Sequence, residues 1–151
     1  MPKIAADRLQ TIADTLLQGA GASAEEAAII SKHSIGANLA GHDSHGIIQI
    51  PVYIDRVKKG HIVPGADFEI VRETPCTTVI NGNWGFGYVV SERAMKMTIE
   101  KAKKNGVAAT TVHYQSHVGR VADYPIMAQA EGMIGMMTAD SGRSPKTGAP
   151  F

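Results

Sequence analysis

At Gly60 the apolar residues of this chain change their spacing, and that change limits the fold more than any other feature. Ahead of it, Ile4, Leu9, Ile12, Leu16 and Leu17 recur at helical intervals until Gly19 or Gly21 ends the run. Ser23 and Glu26 then form a capping box, in which the hydroxyl accepts from a first-turn amide and the carboxylate reaches back. They open a second helix over residues 24 to 39. Ile47, Ile48, Ile50, Tyr53, Ile54 and Val57 predict a third from about Ser44 to Lys59, stopped by Gly60. Pro51 lies inside that pattern, so the third helix must kink there or start late. Three short helices define an N-terminal helical subdomain, residues 1–62.

Beyond Gly60 the texture is different. "FEIVRE" alternates and "TTVI" is β-branched, so both read as strands, and "NGNWGFGY" reads as a glycine-rich turn. Val89 to Asn105 is strongly amphipathic, with Ala94, Met97, Ile99 and Ala102 inward and Gly106 as the stop. "VAATTVHY" predicts a buried strand, "VADYPIMAQAEG" a helix, and "MIGMMTA" a core strand carrying Met133, Met136 and Met137. Helices alternating with apolar strands point to a mixed α/β layer over residues 63–151.

Composition narrows the function. With 44% apolar and 19% charged residues, 151 residues can bury a core. A formal charge of +1 gives no reason to expect nucleic acid or an anionic membrane as partner. One cysteine, Cys76, excludes an intrachain disulfide and a multi-cysteine metal site, and its setting in "TPCTT" predicts a small buried hydrophobe. The N-terminus lacks the apolar run of a signal peptide and no later run approaches a membrane span, so the cytoplasm is the expected location. The last residues, "DSGRSPKTGAPF", form a loop that leads nowhere, and the chain is expected to be truncated.

Two stretches carry residues suited to chemistry. In "GHDSHG", Asp43 or Ser44 can cap a helix and so place His45 in its first turn, where the helix dipole keeps the imidazole neutral. A neutral imidazole beside a hydroxyl is what general acid/base chemistry needs. The plainer reading stands beside it: Asp43 and Ser44 cap, Gly46 permits close packing, and His42 and His45 are surface residues. In "HYQSHVGR", at the carboxyl end of a predicted strand, His117 and Gly119 allow close approach to a ligand and Arg120 can hold an anion. His113 there reads as structural. Neither histidine pair has the companions of a metal site, so no metal is expected. The glycines of "NGNWGFGY" do not match a dinucleotide fingerprint.

Taken together, "GHDSHGIIQIPVYIDRVKKGHIVPG", "EKAKKNGVAATTVHYQSHVGRVADYPIMAQAEGMIGMMTADS" and "APF" resemble the malate/L-lactate dehydrogenase-like oxidoreductases. These are non-Rossmann enzymes that use NAD or NADP. The resemblance implies a helical bundle followed by part of a mixed α/β cofactor domain, assembled as a homodimer. It implies hydride transfer between nicotinamide and C2 of a 2-hydroxy or 2-oxo acid such as malate or lactate. His45 falls on the histidine of the family's Ser-His-Gly element, the expected proton donor and acceptor, with Ser44 beside it. His117 falls on a second histidine that lies by substrate and nicotinamide, and Val118 and Gly119 would supply backbone near the cofactor.

Two departures qualify that expectation. Many members carry an arginine four residues after the catalytic histidine, suited to the substrate carboxylate, and here the position is Gln49. Arg120, Arg143 or Lys146 would then take that role, or the substrate differs. Family members also continue past "APF" into cofactor loops, so the chain alone is expected to be inactive. The competing readings are an inactive fragment or subunit-interaction module, and a metal-dependent hydrolase.

Overall fold

The computed structural model describes residues 4–140; Arg143, Lys146 and the terminal "APF" lie outside them. The first helix, α1 (Ala6–Gly19), buries Ala13 and Leu17, while Ile12 and Leu16 stay on its open side and Ile4, ahead of it, is exposed. In the second, α2 (Ala24–Leu39), the capping box forms as its sequence requires. Glu26 N donates to Ser23 Oγ at 3.1 Å and Ser23 N to Glu26 Oε2 at 2.9 Å. The other oxygen of Glu26 accepts from Gly65 N at 2.8 Å, so one carboxylate ties a helix start to the chain beyond the third helix.

That third helix, α3 (Ile50–Lys58), starts late, with Pro51 in its first turn, where the missing N–H costs no hydrogen bond. Ahead of it the chain makes two 3-10 turns, Asp43–His45 and Ile47–Gln49. His45 is therefore not in the first turn of an α-helix, and neither Asp43 nor Ser44 caps one.

Two strands follow, β1 (Glu69–Glu73) and β2 (Thr77–Asn81), and then α4 (Gly87–Asn105), β3 (Ala109–His113) and α5 (Asp123–Ala130). The sheet has the order β1-β2-β3, with β1 antiparallel and β3 parallel to β2. A parallel pair needs a crossover, and α4 supplies it. Ala94 and Ile99 are buried on α4, and Gly106, at φ +81, ends it. The architecture is mixed α/β. One buried cluster, including Leu17, Ile30, Tyr53, Ile62, Phe86 and Tyr88, runs without a break from the three-helix region into α4.

Three expectations are corrected. Strand β3 is not buried, since its residues alternate between exposed and half-buried along the open flank of the sheet. Residues 133–139 form no strand: no described strand lies beside them to share a ladder, and Ile134 and Met136 are left facing outward. Cys76 is half-buried rather than enclosed.

Candidate active site

The loop that carries His45 is built around Asn38, at the end of α2. Its Nδ2 donates to Asp43 Oδ1 at 2.6 Å and its Oδ1 accepts from Ile47 N at 2.8 Å, so a single amide pins both sides of the turn. Gly46 lies against that amide so closely that any side chain there would overlap it. This is why glycine follows His45. Within the turn Ser44 Oγ and His45 Nδ1 are 2.9 Å apart, and the amide of Gln49 donates to the carbonyl of Ser44 at 2.8 Å.

The second element is the loop that follows β3. After β3 the chain passes over Gly87, the first residue of α4, where a side chain would strike the carbonyls of Ser116 and His117. The glycine-rich turn thus serves to let this loop pass. His117 Nδ1 is 2.8 Å from the hydroxyl of Tyr53 on α3. Two residues on, Gly119 (φ +71) lies under the ring of Tyr88, and Tyr124 Oη donates to the carbonyl of Val118 at 2.5 Å.

The two elements meet. The rings of His45 and His117 lie 5.3 Å apart between centroids, tilted by 35°, and His42 packs edge-on against His45 at 4.6 Å. In both rings Nδ1 is engaged, by Ser44 and by Tyr53, and Nε2 has no hydrogen-bond partner among the described residues. Burial depresses the pKa of His45, and the neighbouring His42 adds to the effect. The pKa of His117 is depressed by burial and then by His45. Both imidazoles are thereby held neutral near pH 7, as a proton acceptor must be. Burial and neighbouring rings, rather than a helix dipole, are the cause.

The other candidates are placed differently. Gln49 is half-buried in the same turn and spends its amide on Ser44. Arg120 turns to Asp123, with Nε at 2.6 Å and Nη2 at 2.5 Å from Oδ1. His113 is exposed and packs against Tyr114. Among the described residues no three His, Cys, Asp or Glu side chains converge on a point that could hold a metal ion.

Beneath the site lies a buried charge network with no local signal in the sequence. His33, on α2, stands between two carboxylates, with Nδ1 2.9 Å from Asp123 Oδ2 and Nε2 2.8 Å from Glu92 Oε2. Burial works against the Glu92 carboxylate, but Lys32, Lys96 and His33 outweigh it and hold its pKa at about 2. The partners are separated by 59 and 90 positions, so no spacing could have announced them.

The comparisons agree with this fold. Residues 4–151 match the family model described as malate/L-lactate dehydrogenase, and the chain belongs to that family. Hydroxycarboxylate dehydrogenase B of Escherichia coli O157:H7 is 35% identical over 129 residues, covering 85% of this chain and 36% of that protein. L-sulfolactate dehydrogenase of Methanothermobacter thermautotrophicus is 41% identical over 117 residues, covering 78% and 34% respectively. The solved malate dehydrogenase of Pyrococcus horikoshii superposes with a TM-score of 0.85 at 31% identity, covering 87% of this chain and 38% of that one. The chain therefore spans little more than a third of the length of these relatives.

Proposed function

We propose that this chain carries the proton-transfer residues of an NAD(P)-dependent 2-hydroxy-acid dehydrogenase. The observation that carries the reading is the pair of neutral imidazoles 5.3 Å apart, each with Nδ1 engaged and Nε2 available. Oxidising a 2-hydroxy acid requires the hydroxyl proton to leave as hydride departs from C2. His45 Nε2 accepts that proton and returns it in the reverse direction, while Ser44 orients the ring through Nδ1. His117, steadied by Tyr53, lies against the reacting carbon. The nicotinamide, when bound, accepts the hydride. The neutral, partly buried rings suit its approach, and the backbone of Val118 and Gly119 would help to hold it on the His117 side.

A substrate carboxylate needs donors. Gln49 is adjacent through its amide. Arg120 serves only if it shares its guanidinium with Asp123, and Arg143 and Lys146 complete the candidates. The family relation favours a small 2-hydroxy acid, with malate, lactate and sulfolactate as the class to test. The same reading places the protein in the cytoplasm as a homodimer, with either NAD or NADP as acceptor, and with no nucleic acid or membrane partner.

The test is spectroscopic. A form of full family length, offered a panel of 2-hydroxy acids with NAD or NADP, should give reduced-nicotinamide absorbance with at least one acid. No signal from any acid with either cofactor would refute the reaction class.

A further inference from the structure

We propose that Tyr88 is the positioning residue that sets the distance between His45 and His117. This deepens the reading above and rests on it. The two histidines sit on irregular segments, a 3-10 turn and a post-strand loop, and are held from different helices, the His45 turn by Asn38 of α2 and His117 by Tyr53 of α3. The described side-chain hydrogen bond of the His45 ring goes only to its sequence neighbour Ser44, which carries no information about His117. Something else must relate the two.

Tyr88 touches both sides. Its hydroxyl donates to the carbonyl oxygen of His45 at 3.0 Å. Its ring fills the space that a side chain at Gly119 would need, two residues from His117, and stands edge-on to the His117 ring at 6.4 Å and 83°. It is also edge-on, at 6.0 Å, to Tyr53, which holds His117 Nδ1.

The anchor itself is fixed. Tyr88 is 1% exposed, in the first turn of α4, and its ring stacks on His33 at 5.5 Å and 14°. His33 is pinned in turn by Glu92 and Asp123. A buried hydroxyl must find partners, and this one donates to the carbonyl of His45 with Tyr53 and Ser34 beside it. Phenylalanine would fill the same volume and lose the bond to His45, together with the hydroxyl's interactions with Tyr53 and Ser34. The ring therefore places the His117 loop, and the hydroxyl places the His45 turn.

The experiment is Tyr88→Phe in the full chain, read by NMR through the cross-relaxation peak between the imidazole CH protons of His45 and His117. The variant should keep the backbone amide fingerprint away from residues 42–49 while the inter-ring peak is lost. A native fingerprint with an undiminished inter-ring peak overturns the proposal. Should the variant fail to fold, the unmodified chain decides. A hydroxyl that donates to a buried carbonyl exchanges slowly, giving separate protonated and deuterated signals for the ring carbon Cζ of Tyr88 in mixed solvent. One averaged signal overturns the proposal. Both readouts concern geometry alone, so a failure of the hydride-transfer reading would appear in turnover and leave them unchanged.

Discussion

Gly119 and Tyr88 are in contact because position 119 has no side chain: a Cβ added there would fall within the tyrosine ring. The backbone of Gly119 is also left-handed, at φ +71, a conformation that costs other residues energy. Gly119→Ala should therefore destabilise the protein by about 3 kcal/mol, combining overpacking with left-handed strain. Thermal unfolding checks it, and an unchanged Tm would show that the ring moves aside freely.

Glu92 supports a second prediction. Its carboxylate is buried, yet it accepts from Lys32, Lys96 and His33. Glu92→Ala leaves His33 with one carboxylate, and should cost about 3 kcal/mol, or a fall in Tm of roughly 10 °C. The pH dependence has a definite sign. Because the folded pKa of about 2 lies below the ordinary 4.5, the stabilisation is present above pH 4.5 and is lost as pH falls toward 2. Acid titration of the unmodified chain and of the variant should differ mainly in that window.

Glu26 does two jobs where Ser23 does one. Ser23→Ala should cost about 1 kcal/mol, the usual worth of a helix cap. Glu26→Ala also releases Gly65 N, and should cost about 2 kcal/mol. Denaturant midpoints of the two variants rank them, and equal losses would mean that the Gly65 tie contributes nothing.

The histidine pair predicts an acid limb in the rate. Both pKa values lie below the ordinary 6.5, so each ring loses its proton-accepting form only below that pH. For a full-length form, kcat/KM should fall on the acid side with a midpoint below 6.5. The same rings add stability above pH 6.5 that is lost as pH falls through their folded values. Initial rates across pH test this, and a midpoint above 6.5 would contradict it.

Much of this molecule could be read from residues close together in sequence. The capping box at Ser23, the stops at Gly60 and Gly106, and α4 follow from local chemistry and periodicity. Pro51 left two outcomes for the third helix, and the structure takes the late start. The strand expected over residues 133–139 did not form, because an alternating apolar pattern makes a strand only beside a partner. The site was legible in part. "GHDSHG" and "HYQSHVGR" marked the two histidines, but the roles of Asn38, Tyr88 and His33 depend on residues far away in sequence. The dipole account of His45 failed for a local reason, since the turn before Pro51 is not α-helical.

The central claim is that His45 moves the substrate proton, and one kinetic measurement tests it most directly. In a full-length form, His45→Ala should lower kcat by about a hundredfold to ten-thousandfold while leaving the Tm near that of the unmodified protein, and added imidazole should restore part of the rate. Turnover by the folded variant at the rate of the unmodified protein would contradict the account.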